Sequence, residues 1–459
     1  MPESLAGETV GVLGLARSGL AAARLAAARG AHVYASDAGD SEASRAAAET
    51  VRGMGGDAET GGHDLGKLAA CSRIVLSPGI PPTAKVLKEE AIAGVPVIPE
   101  IEFAYEQLDC PVIAITGTNG KTTVTALIEH LMRGAGMDAV AGGNIGTALS
   151  ELALRQPQPA WAVVECSSFQ LAGIRRFTPR IGVLTNLAPD HLDWYADVEA
   201  YYADKARLFT NASADSVWVL NAEDERARDL IGDALGTRMY FRAETAPESE
   251  DELGGWVASG TLVIRTEPGR TERIIPAAGL QILGPHNVAN ALAAAIAARL
   301  AGASLEGIAK GLRSFEAPPH RLQPVVEKDD VLWINDSKAT NIASTRVAVR
   351  GMTRPTVLLL GGKHKGEPYT ELLPDLAGQV RAILAYGEAA PTIVADLEGK
   401  APVERVDGPF EAVVRRAREV AMPGDAVLLS PACSSFDMFR NYEARGERFA
   451  QLAREGAQE

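Results

Sequence analysis

The segment Thr116-Gly117-Thr118-Asn119-Gly120-Lys121-Thr122-Thr123 constrains the fold more than any other part of this chain. It follows an apolar, strand-like run at 111–115 and precedes a helical pattern with apolar residues on one face. A strand, a glycine turn and a helix start place several backbone N–H groups and the positive end of a helix dipole around one anion. The segment therefore predicts a phosphate-binding loop.

The side chains of this loop predict how a nucleotide would be held. Lys121 can reach the outer phosphates, and the Thr122 hydroxyl is placed to bind Mg²⁺. The loop departs from the general P-loop pattern, because Ile115 stands where that pattern has its first glycine. We therefore expect a shortened variant loop, which indicates a particular family and not a generic NTPase.

Length and composition predict a globular chain of several domains. At 459 residues the chain is too long for one ordinary core, so about three domains of about 150 residues are expected. Hydrophobic residues make up 46 % of the chain and charged residues 23 %, which is typical of globular proteins. The formal net charge of −14 argues against a nucleic-acid or anionic-membrane partner, although a local basic site could still bind phosphate.

Three further observations predict a cytoplasmic location with no membrane partner. The four cysteines are scattered and form no Cys-x-x-Cys pair, which fits a reducing compartment. The start Met1-Pro2-Glu3 lacks the basic and apolar regions of a signal peptide. The apolar stretch at 289–300 is too short to span a bilayer.

Strand-like runs alternate with helical patterns along the chain, which predicts an α/β fold with parallel, doubly wound sheets. We distinguish three blocks, at 1–100, 101–317 and 318–459, with the Ala317-Pro318-Pro319 step as the second boundary. The stretch at about 242–275 predicts surface β-hairpins. The main predicted strands are 9–13, 32–36, 73–76, 161–164, 181–185, 217–220, 331–334, 356–360, 382–386 and 426–429.

The first block contains a near match to a dinucleotide-binding fingerprint. Gly14 and Gly19 bracket the turn after the first strand, and Asp37 follows the next strand, where an acid that binds ribose is expected. Ala16 replaces the middle glycine that lets a pyrophosphate approach closely. A nicotinamide site and a nucleotide-sugar site are both compatible with this pattern. The phosphate loop of the second block weighs against the nicotinamide site.

Two polar side chains follow neighbouring strands of the second block. Glu165 ends a strand, and an acid at that position in P-loop-like sheets holds Mg²⁺ directly or through water. His191 follows the next strand between Asp190 and Asp193, so a metal or substrate role is expected. Lys205, taken alone, predicts a solvated helix lysine.

The third block carries a dense polar run directly after a strand. His320-Arg321 is followed by Asn335-Asp336-Ser337-Lys338-Ala339-Thr340-Asn341, and this mixture of Arg, Lys and Asp suits phosphate and ribose contacts. Cys433 has no histidine nearby in the sequence, so we interpret it as a small packed residue and not a thiol nucleophile. The chain also lacks the G-x-S-x-G and H-E-x-x-H hydrolase motifs.

Together these motifs resemble those of the Mur ligases, the ATP-dependent amino-acid ligases of peptidoglycan precursor synthesis. The resemblance covers nearly the whole chain. The phosphate loop and the His-Arg pair are family-wide, whereas the runs at 167–170 and 335–341 point to the member that adds D-glutamate. The motifs that carry the resemblance lie at 77–80, 117–123, 143–146, 167–171, 320–321, 335–341 and 434–446.

The resemblance implies a fold and a reaction. The three domains would be a Rossmann-like N-terminal domain that binds a UDP-sugar, a central P-loop-type ATPase domain and a Rossmann-like C-terminal domain. The implied monomeric enzyme uses ATP to add D-glutamate to UDP-N-acetylmuramoyl-L-alanine through an acyl phosphate, giving ADP and phosphate.

The resemblance also implies that Lys205 carries a carbamate derived from CO₂, which reverses the interpretation of that residue taken alone. A carbamate converts the cation into an oxygen ligand that suits Mg²⁺. His191 and Lys205 would hold one Mg²⁺, and Thr122 and Glu165 would hold a second. With Lys121, the residues Glu165, His191 and Lys205 form the implied catalytic set.

The remaining implied contacts fall into three groups, which bind the UDP-sugar, ATP and D-glutamate. In the last group, Lys365 is chosen over Lys363 to bind a carboxylate of D-glutamate. The UDP-sugar contacts are Ser18, Asp37, Ser77, Asn144 and His191; the ATP contacts are Gly117, Thr118, Asn119, Gly120, Lys121, Thr122, Thr123, Asn287, Asn290, Arg321, Asp336 and Lys338; the D-glutamate contacts are Thr340, Lys365, Ser435, Phe436 and Tyr442.

Three alternatives remain open from the sequence. Folylpolyglutamate synthase belongs to the same fold, but that relative lacks a nucleotide-sugar-like block at its start. A nicotinamide-linked oxidoreductase would use the turn at 14–37, and binding of NADH would favour it. A non-catalytic module would bind ATP without turnover, which the number of candidate metal ligands disfavours.

Overall fold

The computed structural model describes residues 4–80, 84–191, 194–282, 284–316 and 319–455. It contains three separate sheets, of five, nine and six strands. Each of the three predicted blocks holds one of these sheets, as the alternating pattern predicts. The first predicted boundary, between residues 100 and 101, lies inside a helix, Glu100–Tyr105. The second, between residues 317 and 318, lies outside the described residues.

The first sheet is parallel throughout. Its elements are β1 (Thr9–Leu13), α1 (Arg17–Ala28), β2 (His32–Asp37), α2 (Glu42–Gly53), β3 (Asp57–Thr60), α3 (Leu65–Ala69), β4 (Arg73–Leu76), β5 (Val97–Pro99) and α4 (Glu100–Tyr105). The strand order is β3-β2-β1-β4-β5. The chain adds β2 and β3 on one side of β1 and then β4 and β5 on the other, so the direction of strand addition switches at β1. In sheets of this kind, ligands bind outside the carboxyl ends of the strands at such a switch point.

The second sheet places the phosphate loop at its centre. Its elements are β6 (Val112–Thr116), α5 (Lys121–Gly134), β7 (Ala139–Gly143), α6 (Leu149–Leu154), β8 (Trp161–Glu165), α7 (Ser168–Leu171), β9 (Ile181–Leu184), α8 (Val198–Ala206), β10 (Val217–Asn221), α9 (Glu225–Asp229), β11 (Thr237–Arg242), β12 (Gly254–Ala258), β13 (Thr261–Glu267), β14 (Arg270–Pro276), α10 (Pro285–Leu300) and α11 (Leu305–Ser314). The order is β14-β13-β12-β11-β10-β9-β6-β8-β7, so β6 lies between β8 and β9 and is parallel to both.

The third sheet repeats the alternation of strand and helix. Its elements are β15 (Gln323–Lys328), β16 (Val331–Asn335), α12 (Ile342–Arg350), β17 (Thr356–Gly361), α13 (Leu373–Leu376), β18 (Val380–Tyr386), α14 (Ala390–Leu397), β19 (Val403–Arg405), α15 (Phe410–Val420), β20 (Ala426–Leu429) and α16 (Tyr442–Glu455). The order is β15-β16-β20-β17-β18-β19, and only β15 pairs in the antiparallel sense among these described strands.

Short 3₁₀ helices occur between these elements, at Lys85–Lys88, Glu90–Ile92, Arg207–Phe209, Ala277–Gly279 and Tyr369–Leu372. The predicted strands agree with the structure to within two residues at either end. The predicted hairpin stretch is confirmed in part. Strands β12, β13 and β14 form two antiparallel pairs, but β12 also extends the sheet by pairing in parallel with β11.

The chain divides into two compact units. One contains the first two sheets, and the other contains the third sheet together with the described residues of 188–198 and 279–289. In the first unit, one hydrophobic core joins residues of both sheets, such as Val12 and Val164, with residues of α4 such as Phe103. In the second unit, alternate residues of β17 enter two cores, Leu358 in one and Leu359 in the other, so the sheet is covered on both faces.

Among the described residues, no helix combines the length and the apolar character needed to cross a membrane.

Glu100, at the start of α4, is a buried acidic residue of the first unit. Its side chain is fully buried, and its Oε1 accepts a hydrogen bond from the Ser150 backbone N–H at 2.7 Å. Burial raises the pKa of Glu100 to about 7.

We expect this carboxyl group to make the first unit less stable as the pH rises. Because the folded-state pKa of Glu100 lies above its usual value of 4.5, the folded state holds the proton more tightly. The stabilisation is complete below about pH 4.5 and is lost by about pH 7, with a total of about 3 kcal/mol. Glu100→Gln should reduce the difference between the free energies of unfolding measured by urea titration at pH 5 and at pH 8. Glu90→Gln, at an exposed site, is the control, and an equal pH slope in Glu100→Gln and the native chain would contradict the assignment.

Candidate active site

The phosphate loop adopts a conformation that only glycine can supply at two positions. Gly117 has φ 141° and Gly120 has φ 83°. A Cβ at Gly117 would collide with the Thr185 hydroxyl, and one at Gly120 would lie 2.6 Å from Asn290 Oδ1. The loop therefore leads directly from β6 into the N-terminus of α5, which begins at Lys121, as the sequence predicts.

Two lysines converge on the carbonyl groups of this loop. Lys121 Nζ donates to the Gly117 oxygen at 2.9 Å and to the Thr118 oxygen at 2.8 Å. Lys205 Nζ, from α8, donates to the same Gly117 oxygen at 2.7 Å and lies 4.4 Å from the centre of the Tyr201 ring. The solvated helix lysine expected from the local sequence is wrong, since Lys205 is only 1 % exposed.

Glu165 presents a buried carboxylate at the end of the neighbouring strand β8. The residue is 2 % exposed, and its Oε1 accepts a hydrogen bond from Asn144 Nδ2 at 3.0 Å. Its Oε2 is buried and has no hydrogen-bond partner among the described residues. Asn144, which the resemblance assigns to the UDP-sugar, follows β7 and is held against Glu165 in this structure.

Asn186 is a contributor to the loop that sequence reasoning missed. Its backbone oxygen accepts from Thr118 N at 2.9 Å, and its side-chain oxygen accepts from Asn119 N at 2.9 Å. Its Nδ2 donates to the Asn119 oxygen at 3.0 Å. Its position at the end of a predicted strand is the sequence signal that marks it, five residues before His191.

The predicted UDP-sugar residues of the first sheet lie at the carboxyl ends of three adjacent strands. Asp37 Oδ2 accepts from Leu15 N at 2.7 Å, and its Oδ1 accepts from Gly39 N at 2.8 Å. Ser77 Oγ donates to the Gly14 oxygen at 3.1 Å, and half-buried Ser18 lies in the first turn of α1. Asp37 and Ser77 therefore shape the turn at the switch point as well as lying beside it.

In the second unit, Asp190 joins residues from three segments. Its carboxylate lies 3.4 Å from Lys365 Nζ and accepts from Asn341 Nδ2 at 3.0 Å. Burial alone would raise the pKa of Asp190, but Lys365, His191 and Asn341 outweigh it and hold that pKa below its usual value. Lys365 is half-buried while Lys363 is exposed, which favours Lys365 as the lysine directed to this cluster. Asp193, the other predicted neighbour of His191, lies outside the described residues.

The predicted ATP contacts of the third sheet gather at the end of β16. Asp336 Oδ1 accepts from Leu322 N at 3.1 Å, and its Oδ2 accepts from Ser430 Oγ at 2.8 Å. Burial raises the pKa of Asp336 to about 7. Arg321 lies between His320 and Leu322, both of which have positive φ angles, of 66° and 42°.

Lys338 and Tyr442 contact each other. The Lys338 ammonium lies 3.8 Å from the centre of the Tyr442 ring, a cation–π contact between a predicted ATP residue and a predicted D-glutamate residue. Ser435 is buried, Thr340 is half-buried, and Phe436 is 69 % exposed. The strands that lead to 336–340 and 430–436 are adjacent, which explains how distant sequence segments reach one edge of the sheet.

The start of α10 supplies the last predicted residues. Asn287 and Asn290 are each 7 % exposed. His286 beside them was not singled out from the sequence. Burial, followed by the nearby charge of Arg321, lowers the pKa of His286 to about 4, so this ring is neutral at physiological pH.

Three family descriptions together match most of the chain. "Mur ligase MurD-like, N-terminal domain" matches residues 8–99, "Mur ligase middle domain" matches 115–298, and "Mur ligase, glutamate ligase domain" matches 320–433. Two curated relatives carry the name UDP-N-acetylmuramoylalanine--D-glutamate ligase. The one from Anaeromyxobacter dehalogenans is 43 % identical over 99 % of both chains, and the one from Salinibacter ruber is 40 % identical over 98 % of both.

The chain belongs to the Mur ligase family. A pseudomurein peptide ligase type C from Methanothermus fervidus is similar in structure, with a TM-score of 0.61, over 98 % of this chain and 100 % of that one. At 19 % identity this likeness shows the fold alone. The predicted α/β architecture of three Mur ligase domains is thereby confirmed.

The oxygen donors of this Mur ligase suit magnesium, a hard cation that prefers oxygen ligands. The buried Oε2 of Glu165, with no hydrogen-bond partner in the described part of the chain, is a donor of this kind. Within the described ranges, no group of three or more His, Cys, Asp or Glu side chains could hold a metal ion. The predicted ligands are of mixed type, with a hydroxyl from Thr122, an imidazole from His191 and a carbamate on Lys205.

The structure brings the predicted residues of this Mur ligase together in groups. The loop at 117–123 gathers with Lys205 and Asn290, and Glu165 with Asn144 lies on the strand next to it. Asp190 gathers with Lys365, and Arg321 lies beside the Asp336 cluster. The individual binding roles of these residues stay predictions.

We expect Lys121→Ala to weaken ATP binding by about 10- to 100-fold, because one hydrogen-bonding ammonium group on phosphate is lost. Isothermal titration of the full chain with ATP and Mg²⁺ measures this change. Lys310→Ala, at an exposed helix position, is the control and should leave the affinity unchanged. Unchanged affinity in Lys121→Ala would refute the phosphate role.

Proposed function

We propose that this Mur ligase adds D-glutamate to UDP-N-acetylmuramoyl-L-alanine in peptidoglycan precursor synthesis, with conversion of ATP to ADP and phosphate. The observation that carries the proposal is the 43 % identity, over 99 % of both chains, to a relative named for this reaction. The phosphate loop and the buried Glu165 beside it supply the groups that such a reaction needs.

The first chemical step is activation of a carboxylate. The L-alanyl carboxylate of the nucleotide-sugar attacks the γ-phosphate of ATP, which gives an acyl phosphate and ADP. Activation is needed because a free carboxylate is a poor electrophile. Lys121 and the backbone N–H groups at the start of α5 offset the charge on the transferring phosphoryl group.

Two Mg²⁺ ions, when bound, would neutralise negative charge on the phosphates and on the carboxylate. Thr122 and Glu165 would hold one ion, and His191 and the carbamate of Lys205 would hold the other. The buried Oε2 of Glu165, which has no hydrogen-bond partner among the described residues, supports the first assignment. The second assignment is supported by the burial of Lys205, whose Nζ lies against the phosphate loop and not in solvent.

The second step forms the C–N bond. The D-glutamate amine attacks the acyl carbon and phosphate leaves, so the amine must lose a proton as the bond forms. Lys365 would pair with a carboxylate of the amino acid, and the half-buried position of its side chain beside Asp190 supports this role. The other predicted contacts with D-glutamate are Thr340, Ser435, Phe436 and Tyr442.

The remaining predicted contacts complete the binding of both nucleotides. Asn287, Asn290, Arg321, Asp336 and Lys338 would bind ATP away from its phosphate loop. Ser18, Asp37, Ser77 and Asn144 would bind the UDP-sugar. Support comes from the switch point of the first sheet, where the turns after β1 and β4 meet.

We place this activity in the cytoplasm and in a single subunit. All four cysteines are free thiols, which fits a reducing compartment. Every residue assigned to ATP, to the UDP-sugar or to D-glutamate belongs to one chain, so a monomer contains the whole predicted set.

Phosphate release from ATP and Mg²⁺ tests the proposed reaction. We expect turnover to require UDP-N-acetylmuramoyl-L-alanine and D-glutamate together, with L-glutamate giving little or no rate. The physical reason is that a carboxylate acceptor and a positioned amine are both needed to complete the cycle. Release that depends on a folate and L-glutamate would instead favour folylpolyglutamate synthase, and ATP binding without acceptor-dependent release would favour a non-catalytic module.

Lys205→Ala tests the carbamate. Turnover should fall by at least about 10²-fold, because a metal ligand is lost. Added short-chain carboxylic acids should restore part of the rate by supplying the missing oxygen ligand. Lys310→Ala is again the control: its turnover should equal that of the native chain, and added carboxylic acids should not alter it. Full activity in Lys205→Ala without added acid would exclude the carbamate role.

A further inference from the structure

The turn that carries Arg321 is conformationally strained on both sides. Seven described residues other than glycine have positive φ angles, and His320 at 66° and Leu322 at 42° are two of them. Side chains other than glycine are disfavoured in this region because Cβ crowds the backbone. Such residues persist where surrounding contacts hold them, so the contacts of this turn decide how Arg321 is presented.

One side of the turn is held by a residue already assigned to ATP. The Leu322 N–H donates to Asp336 Oδ1 at 3.1 Å, and this carboxyl group is fixed in turn by Ser430. The backbone of His320 makes two hydrogen bonds. Its N–H donates to Gln323 Oε1 and its oxygen accepts from Lys338 N, both at 3.1 Å. The side chain of His320 has a different anchor.

That anchor is Asn335, which is fully buried at the end of β16. Its Nδ2 lies 2.9 Å from His320 Nδ1 and donates to the Gly446 oxygen at 3.1 Å, while its Oδ1 accepts from Ser337 N at 3.1 Å. The contacts with a backbone oxygen and a backbone N–H fix the orientation of the amide. The amide nitrogen therefore donates to His320, whose Nδ1 must be the acceptor with the proton on Nε2.

The His320 ring is closely confined on one side and has space on the other. A Cβ at Gly446 would collide with His320 Nδ1, so the helix α16 approaches the ring as closely as glycine allows. A cavity of about 550 Å³ is lined by His320 and Asn335 together with Gln323, Glu447 and Arg454. The hydrogen bond from Asn335 therefore holds a ring that borders this cavity and otherwise meets the Tyr442 ring edge-on, with 6.1 Å between ring centres.

We propose that Asn335 is a positioning residue for ATP binding: it holds His320 in the left-handed conformation and thereby sets the direction of Arg321. Asn335 acts through His320 and does not itself contact the nucleotide. The inference rests on the proposed function, since it takes Arg321 as an ATP contact. It adds a residue and a mechanism to that site.

A double-mutant cycle in the full chain tests the inference. Asn335→Ala should raise the KM for ATP about tenfold, equivalent to about 1.4 kcal/mol, while the KM for D-glutamate stays within about twofold. In a His320→Gly background the same substitution should have little effect on the KM for ATP, because glycine adopts a positive φ without an anchor. Equal effects of Asn335→Ala in both backgrounds would overturn the proposal.

Two further variants keep the test decisive if Asn335→Ala unfolds. Gly446→Ala would place a Cβ in collision with His320 Nδ1 and 3.0 Å from Asn335 Nδ2, so it disturbs this contact from the side of α16. It should raise the KM for ATP in the native background and not in His320→Gly. Asn441→Ala removes an acceptor for Ala444 N in the first turn of α16 and does not contact His320, so it is the matched control. It should lower the melting temperature and leave the KM for ATP unchanged; a raised KM in this control would also overturn the proposal.

Direct titration with ATP separates failure of this inference from failure of the proposed function. If the native chain binds ATP and Asn335→Ala and Gly446→Ala bind it equally well, the positioning role is wrong and the ligase proposal stands. If the native chain does not bind ATP, the proposed function fails and the positioning role fails with it.

Discussion

The carbonyl oxygen of Gly117 accepts hydrogen bonds from two ammonium groups, and much of the candidate active site depends on that arrangement. Lys121 reaches it at 2.9 Å from the helix that follows the loop, and Lys205 reaches it at 2.7 Å from α8. The positive charge of Lys121 favours binding of a polyanion at this oxygen, whereas the carbamate proposed on Lys205 would remove the charge of the second lysine. The same oxygen ties α8 to the phosphate loop, so the position of Lys205 is set by the loop that binds phosphate.

Strand ends explain why separate sequence motifs form common clusters. In the second sheet, β6 lies between β8 and β9, so the phosphate loop, Glu165 and Asn186 emerge at one edge. In the third sheet, β16, β20 and β17 are adjacent in the same way, which gathers Asp336, Ser430 and the 361–366 loop. Parallel pairing fixes the direction of every strand, so each carboxyl end delivers its polar turn to the same side.

The sequence predicted those parts whose pattern is local. Buried parallel strands appear as apolar runs, and polar turns after them marked Lys121, Glu165 and Asp336. The polar strand β3 and the short strand β19 lack such a run and were not predicted. Burial of Lys205 could not be inferred from its helix, because its partner, the Gly117 oxygen, is 88 residues away in the sequence. The anchoring of His320 by Asn335 likewise depends on a tertiary contact that no local pattern reports.

The shared core of the first two sheets has a consequence for how the protein can be divided. Apolar side chains of α1 and α4 belong to the same core as those of the second sheet, so a fragment that ended before β6 would leave them facing water. The third sheet carries a core on each face from its own helices. Evolutionary exchange or experimental excision would therefore act on the first two domains as a pair. A carboxyl-terminal fragment would keep both of its cores but lose the described residues of 188–198 and 279–289 that belong to the same compact unit.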